Sequence, residues 1–303
     1  MKRRKFLNHL GAISAGYAFG GGYFPRNLAE DTIKITVLHT NDTHSRIDPF
    51  PDHAGKLAGK GGAAARSAYI NKVRSKEKHV LLLDAGDIWQ GTPYFNEYQG
   101  QLEFDLMSKM KYDAATLGNH DFDLGIDGLI KQWQHAHFPF VCSNYDFSDT
   151  ALTGLTQDYF VIEKSGIRIG VVGLGIQLEG LVPAKLFSGL KYLDPIETAN
   201  KMAKKLKRDM NCDFIIALSH LGYQYKSKKV SDRKLARHSE NLDLIIGGHT
   251  HTFLNGIQTV KNKNGEKVAI NQVGYGGAMI GHIELWFDAK KKKRSKVCQN
   301  CWV

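Results

Sequence analysis

Apolar residues along the chain follow two patterns, which predict strands and helices. Some short stretches are apolar at every position, as at residues 80–83 (VLLL), and this is typical of a strand covered on both faces. In longer stretches the apolar residues recur every three or four positions, which is typical of a helix with one buried face. The predicted strands are residues 32–39, 80–83, 114–117, 140–142, 159–164, 167–174, 214–218, 242–246, 268–273 and 279–287. The predicted helices are residues 61–76, 102–110, 126–135, 195–210 and 231–238.

Turn and capping residues sharpen two of these boundaries. Ser165 and Gly166 separate two β-rich runs, and such a pair is a hairpin signature. Asp194, Pro195 and Glu197 predict a helix N-terminus with an N-cap, a proline at the first helical position and a capping box. Strands that alternate with helices, with one hairpin that reverses the strand direction, predict a mixed α/β domain.

The net charge of +11 is concentrated at the two ends of the chain. Residues 2–5 (KRRK) are all basic, and basic residues recur at 290–294 and 296, so the intervening chain is close to neutral. A protein that binds duplex nucleic acid needs basic residues spread along a folded face. The charge therefore argues against a nucleic-acid groove.

The first 30 residues have the composition of a targeting segment. Arg3 and Arg4 precede KFL and then an apolar, Gly/Ala-rich run at residues 10–23, which is too short and too weakly apolar to span a membrane. The segment resembles a twin-arginine export signal, and the alternative is a disordered basic tail. We therefore expect export to the periplasm or cell envelope, with the segment either cleaved or kept as an N-terminal anchor. We expect no other membrane span.

Residues 31–289 are expected to form the folded domain and residues 290–303 a basic C-terminal tail. Cys298 and Cys301 form a C-x-x-C pair in that tail, which is a weak metal signal because a zinc site needs four ligands. A local disulfide and an inert tail are the other interpretations. Cys142 and Cys212 lie in or beside apolar runs and are expected to be buried thiols.

Metal-binding side chains follow five of the predicted strands, at the point where each strand ends. In an α/β sheet these strand ends lie at one edge, where sites are built. A single Asp or His at a strand end is more often structural, but buried carboxylates and imidazoles are costly unless paired or metal-bound. Five such segments together therefore predict a metal site. They are residues 38–44 (LHTNDTH), 84–87 (DAGD), 118–121 (GNHD), 219–220 (SH) and 247–251 (GGHTH).

The candidate ligands indicate the kind of metal. Nitrogen and carboxylate oxygen without thiolate suit divalent zinc, manganese, iron or cobalt. Seven ligands are too many for one tetrahedral ion but suit two adjacent divalent ions that share one carboxylate. Gly86 has no side chain and is expected to let two ions approach the backbone closely. The candidate ligands are Asp42, His44, Asp87, Asn119, His220, His249 and His251.

These motifs, in this order, resemble the calcineurin-like metallophosphoesterase superfamily. Within it, residues 38–46 (LHTNDTHSR), 90–92 (QGT), 119–123 (NHDFD) and 248–254 (GHTHTFL) resemble the 5'-nucleotidase family. The resemblance runs from about residue 32 to residue 288 and implies the N-terminal catalytic domain of that family, a four-layer α/β/β/α sandwich. It also implies hydrolysis of small-molecule phosphate monoesters, with nucleotides as the substrates.

The resemblance assigns a role to each motif residue. The implied ligands of one ion are Asp42, His44, Asp87 and His251, and those of the other are Asp87, Asn119, His220 and His249. Water activated by the two ions would attack phosphorus in line. Asn119 and His120 would contact the phosphate, and His120 would stabilise the transition state or assist the leaving oxygen. Asp123 would orient His120, and a plain helix N-cap is the alternative for Asp123.

Two features depart from the family pattern. Many nucleotidases of the family carry Gln or Asn where His251 stands, which puts the metal preference of the first site in doubt. They also continue into a second domain that recognises the base, so we expect a separate chain to carry that specificity domain. The alternatives that stay open are a 2',3'-cyclic nucleotide or broad phosphodiesterase, a thiosulfohydrolase relative, and a non-catalytic metal-binding subunit of a split nucleotidase.

Overall fold

The structure, a computed structural model, describes residues 32–288, 290–291 and 293–303. The expected signal segment lies outside them. The strands are β1 (Thr32–Thr40), β2 (Val80–Asp84), β3 (Ala114–Ala115), β4 (Tyr145–Asp146), β5 (Phe160–Lys164), β6 (Ile167–Leu174), β7 (Lys191–Tyr192), β8 (Phe214–Ser219), β9 (Leu244–Gly247), β10 (Gln258–Lys261), β11 (Lys267–Asn271), β12 (Met279–Asp288), β13 (Lys293–Cys298) and β14 (Cys301–Trp302). The helices are α1 (Ala63–Arg74), α2 (Pro93–Tyr98), α3 (Gln101–Lys109), α4 (Gly125–Gln132), α5 (Pro195–Arg208) and α6 (Asp232–His238). In the described part of the chain, no helix is long and apolar enough to cross a membrane.

Two six-stranded sheets form the centre of the fold. The strand order is β13-β12-β1-β2-β3 in the first, with β14 also paired to β12, and β10-β11-β9-β8-β6-β5 in the second. Strands β1, β2 and β3 are mutually parallel, and so are β6, β8, β9 and β11. Parallel strands bring their carboxyl ends to one edge of a sheet, which is where polar loop residues can converge.

Alternate side chains of the apolar strands pack on opposite faces of each sheet. Leu81 and Leu83 of β2 lie in the core between the two sheets, whereas Leu82 lies in an outer core with residues of α1 and α3. In the second sheet, Ile216 of β8 faces the core between the sheets and Ile215 packs with residues of α5 and α6. Helices therefore cover the outer face of each sheet. The predicted four-layer α/β/β/α sandwich is confirmed.

The two boundaries predicted from turn and capping residues are also confirmed. Ser165 and Gly166 have φ angles of 52° and 78° and connect the antiparallel pair β5–β6. The carboxylate of Asp194 accepts hydrogen bonds from the backbone N–H groups of Ile196 and Glu197 at 2.8 and 2.9 Å. This satisfies two of the backbone donors that the first turn of α5 leaves unpaired.

The predicted strand at residues 140–142 is wrong. Residues 140 and 141 form only isolated bridges, to Ala115 and Gln157. Pro139 directly precedes them and has no N–H to extend a ladder. Helix α2 and strands β4, β7, β10, β13 and β14 are absent from the sequence predictions.

Residues 290–303, interpreted above as a basic tail, include two strands that pair antiparallel with β12. Cys298 packs beside the inner core, where Asn271 donates a hydrogen bond to its sulfur. The Cys301 sulfur instead accepts a hydrogen bond from the Tyr69 hydroxyl on α1 at 3.0 Å. The two thiols therefore lie on opposite faces of the sheet. All four cysteines are free, so the local disulfide is not formed.

Candidate metal centre

Six of the seven candidate ligands form two clusters at the carboxyl ends of the parallel strands. The first cluster is Asp42, His44 and His251, and the second is Asp87, His220 and His249. Within each cluster, one ligand atom per residue lies within 4.8 Å of the others. The residues come from the loops after β1, β2, β8 and β9. Asn119 follows β3 and joins the second cluster, because its Oδ1 is 2.8 Å from Nδ1 of His249.

The carboxylate of Asp87 lies between the two clusters. Its Oδ2 is 3.0 Å from Nε2 of His220 in the second cluster and 3.8 Å from Nε2 of His44 in the first. Its Oδ1 accepts a hydrogen bond from the backbone N–H of His120 at 2.8 Å. One oxygen of Asp87 thus faces both clusters, as a bridging ligand requires.

The imidazoles direct their Nε2 atoms toward these carboxylates and toward each other. Nδ1 of His220 donates to the carbonyl of Ala85 at 2.7 Å, since a carbonyl can only accept, and this turns the buried Nε2 toward Oδ2 of Asp87, 3.0 Å away. His44 likewise directs Nδ1 to the carbonyl of Trp89, and its Nε2 lies 2.9 Å from Nε2 of His251. Nε2 atoms without a proton would offer lone pairs to a cation held between them and the carboxylates.

Burial and neighbouring charges set the protonation of the centre. Burial lowers the pKa of His249 to about 3 and the pKa of His251 to about 4, so both are neutral, the form that binds metal. Burial raises the pKa of Asp42 to about 8. Burial opposes the charged forms of His220 and Asp87, but their mutual attraction outweighs it, raising the pKa of His220 to about 10 and lowering the pKa of Asp87. A divalent cation could replace the proton that this pair shares.

The backbone at the candidate ligands is strained. Five of the seven have left-handed backbone conformations, which cost roughly 1–2 kcal/mol each for residues other than glycine. Such conformations persist only where the surrounding structure fixes them, and they concentrate at functional sites. The loops are therefore shaped to hold these side chains. The five φ angles are 48° at Asp42, 49° at His44, 54° at Asp87, 70° at His249 and 50° at His251.

Two glycines let the loops after β2 and β3 pack directly against each other. A Cβ on Gly86 would lie 2.6 Å from the backbone nitrogen of Gly118 and 3.0 Å from Nδ1 of His220. A Cβ on Gly118 would collide with Oδ1 of Asp87. The space beside Gly86 is thus filled by protein, which corrects the expectation that it lets ions approach the backbone.

Asp121 has a positioning role that the sequence analysis did not assign. Its fully buried carboxylate accepts four backbone hydrogen bonds, from Asp87, Ile88, Trp89 and Gly118, at 2.8 to 3.2 Å. It therefore ties the loop that carries Asp87 to the loop that carries Asn119. Its place in the GNHD motif was the signal available in the sequence.

His120 lies at the rim of the centre rather than in either cluster. Its side chain is 37% exposed, and its ring is 5.3 Å from the ring of His44. Nδ1 of His120 is 2.9 Å from Oδ2 of Asp123, and this hydrogen bond raises the pKa of His120. Leu124, not Asp123, occupies the N-cap position of α4. The helix-cap alternative for Asp123 is therefore wrong.

The chain matches the sequence profile of the calcineurin-like phosphoesterases over residues 35–253. The chain belongs to this family. The matched span includes both clusters, Asn119, His120 and Asp123. The family predicted from the five motifs is confirmed.

Several curated proteins and solved structures are similar to this chain. Snake venom 5'-nucleotidase of Crotalus adamanteus is 32% identical over 284 residues, which cover 87% of this chain and 47% of the relative. A 5'-nucleotidase precursor from Thermus thermophilus has a TM-score of 0.80 and 34% identity over 89% of this chain and 55% of that one. Calcineurin-like phosphoesterase YfkN from Bacillus subtilis has a TM-score of 0.73 and 25% identity, over 89% of this chain and 91% of the YfkN chain. The chain spans about half the length of the curated relatives it matches.

Proposed function

We propose that this chain hydrolyses phosphate monoesters at a two-ion centre, and that its substrates are nucleotides. The observation that carries the proposal is the carboxylate of Asp87, which faces a His/Asp cluster on each side next to the His120–Asp123 pair. The similarity to proteins named 5'-nucleotidases supports nucleotides over other phosphate monoesters.

The donor set suits two divalent ions of zinc, manganese, iron or cobalt, because it combines imidazole, carboxylate and amide groups without thiolate. When bound, the ions would lower the pKa of water and neutralise charge on the phosphoryl group. The residues that would hold the first ion are Asp42, His44, Asp87 and His251, and those that would hold the second are Asp87, Asn119, His220 and His249.

In this proposal, His120 donates a proton to the leaving group. It lines a cleft of about 250 Å³ that also exposes His44 and His251. Because Nδ1 of His120 is bonded to Asp123, its Nε2 is available to the substrate. When the P–O bond to the leaving group breaks, protonated Nε2 can supply the proton that the leaving oxygen takes. Asn119 and His120 would also contact the phosphoryl oxygens.

Asp123→Asn is expected to shift the pH dependence of the reaction. The hydrogen bond from Asp123 raises the pKa of His120, so its loss lowers that pKa and leaves His120 deprotonated from a lower pH upward. The alkaline limb of the kcat/KM profile should move to lower pH. Asp127→Asn, which removes an exposed carboxylate from the nearby α4, is the matched control. If the alkaline limb of the Asp123→Asn profile did not move, Asp123 would have no role in setting the protonation of His120 during the reaction.

The function is tested by phosphate release from AMP beside metal analysis of the protein loaded with zinc or manganese. We expect hydrolysis of AMP and two divalent ions per chain. Faster cleavage of 2',3'-cyclic AMP or bis(p-nitrophenyl) phosphate would instead favour a phosphodiesterase. Fewer than two ions without phosphate release would favour a non-catalytic subunit. Hydrolysis that requires a second protein would support the separate specificity chain.

Export belongs to the same proposal. Its support is the Arg3-Arg4 motif followed by a short apolar run, which resembles a twin-arginine signal. Cell fractionation of the full chain and of an Arg3→Lys/Arg4→Lys variant tests it. The wild type should reach the periplasm or envelope and the variant should stay in the cytoplasm, and an equal distribution would contradict the proposal.

A further inference from the structure

The cleft over the centre has lining residues that the proposed function does not use. Besides the three histidines, its lining includes Arg46 and Phe50 from the loop after β1, Gln90 from the loop after β2, and Tyr275 from the loop between β11 and β12. We call Arg46, Phe50 and Tyr275 the cleft wall. None of them belongs to either His/Asp cluster.

The cleft wall is held in place by ring contacts. The guanidinium carbon of Arg46 lies 4.4 Å from the centroid of the buried Phe50 ring. Phe50 meets Tyr275 at a centroid distance of 5.7 Å and an interplanar angle of 88°. Tyr275 in turn stacks on His251, with centroids 4.9 Å apart. The wall therefore needs little reorganisation to bind a ligand, which lowers the entropic cost of binding.

Three polar side chains of this lining, those of Arg46, Gln90 and Tyr275, make no hydrogen bond or ion pair with the residues that the structure describes. A guanidinium group presents a planar set of donors that matches phosphate and carboxylate oxygens. Arg46 thus borders the reaction centre as a cation that no carboxylate of the described residues neutralises.

The size of the cleft limits what that anion can be. Its volume of about 250 Å³ is below the ~300–1,000 Å³ of pockets that enclose drug-sized ligands. Because the cleft is open to solvent on one side, the enclosed space suits the terminal phosphoryl group and one further small group, while a nucleoside would extend outward. The group that follows a terminal phosphoryl group in a nucleoside diphosphate is a second phosphate.

We propose that Arg46 is a specificity residue that binds a second phosphate of the substrate, so that the centre favours nucleoside diphosphates over monophosphates. This inference rests on the proposed phosphatase function. In the reaction, an oxygen of water bonds to the terminal phosphorus while the bond to the bridging oxygen breaks. The products are orthophosphate and a nucleoside monophosphate, and Arg46 would neutralise the negative charge that develops on the latter.

The test compares initial rates on ADP and AMP, with chromatography separating the products, for manganese-loaded wild-type protein, Arg46→Gln and Arg46→Lys. The wild type should have the higher kcat/KM on ADP. Arg46→Gln should lower the ADP-to-AMP ratio of kcat/KM by roughly tenfold to a hundredfold, since charge-assisted hydrogen bonds are lost. Arg46→Lys should restore part of it. Arg237→Gln, which removes an exposed cation from α6, should leave the ratio unchanged.

If Arg46→Gln left the ADP-to-AMP ratio of kcat/KM unchanged, whether or not both rates fell, the role of Arg46 would be overturned. The phosphatase function would stand. If neither nucleotide is hydrolysed, the proposed function fails, and calorimetry still tests Arg46. Manganese-loaded wild type should then bind pyrophosphate more tightly than orthophosphate, and Arg46→Gln should lose this preference. Pyrophosphate and orthophosphate can also remove manganese from the protein. The same titrations of the Arg237→Gln protein measure that effect with Arg46 intact. Equal affinities of the wild type for both anions would end the proposal.

Discussion

Replacement of Asp87 by asparagine is expected to lower kcat on AMP by at least about a thousandfold, because bound ions contribute several kcal/mol to catalysis and each 1.36 kcal/mol is tenfold in rate. Asparagine keeps the shape of the side chain but removes its charge. The substitution affects both clusters, because Oδ2 of Asp87 lies 3.0 Å from Nε2 of His220 and 3.8 Å from Nε2 of His44. Metal analysis should show fewer than two ions per chain.

Asp149→Asn provides the control for Asp87→Asn, because it removes the charge of an exposed aspartate that pairs only with the exposed Lys191 among the described residues. Circular dichroism and the thermal midpoint establish that both variants fold. A folded Asp87→Asn protein that keeps two ions and normal turnover would rule out a shared carboxylate.

Replacement of His120 by alanine is expected to lower kcat by about 10²–10⁴-fold, the usual contribution of a positioned acid or base. Both ions should be retained, because His120 lies at the rim, with its side chain 37% exposed, and belongs to neither cluster. Lost turnover with unchanged metal content would show that His120 acts in catalysis and not as a metal ligand. Steady-state rates and metal analysis on the same preparation provide the measurement.

The chain offers a matched control for His120→Ala. His135 forms a second His–Asp pair, with Nδ1 3.0 Å from Oδ1 of Asp105, and lies outside the centre. His135→Ala should keep both turnover and metal content. If His120→Ala turned over AMP as fast as His135→Ala, the assigned proton transfer would be wrong.

Most of the fold could be predicted because burial on both faces leaves a strong pattern. Strand β2 reads VLLLD, and its residues alternate between two cores, so almost every position must be apolar. Strand β13 reads KRSKVC and has no such pattern, because it exists through pairing with β12 at the edge of the sheet. The composition of residues 290–303 therefore predicted a tail, whereas pairing with β12 makes part of this segment a strand.

The candidate ligands could be predicted because they follow parallel strands, whose carboxyl ends lie at one edge of a sheet. The supporting roles of other residues could not be predicted. Asp121 acts by accepting backbone hydrogen bonds from two loops, and Tyr275 stacks on His251 from a loop that follows a different strand. The left-handed backbone at Asp42 and Asp87 leaves only a weak sequence signal, because glycine is the usual residue there although aspartate is enriched.

The pairing of strand β13 has a consequence for the self-association of the protein. It covers the edge of β12, a ten-residue strand with alternating buried positions. An uncovered edge of this length is a template for pairing with another chain, and a short outer strand offers a smaller template. The six residues of β13 thus limit edge-to-edge pairing between copies of the protein, a task unrelated to catalysis.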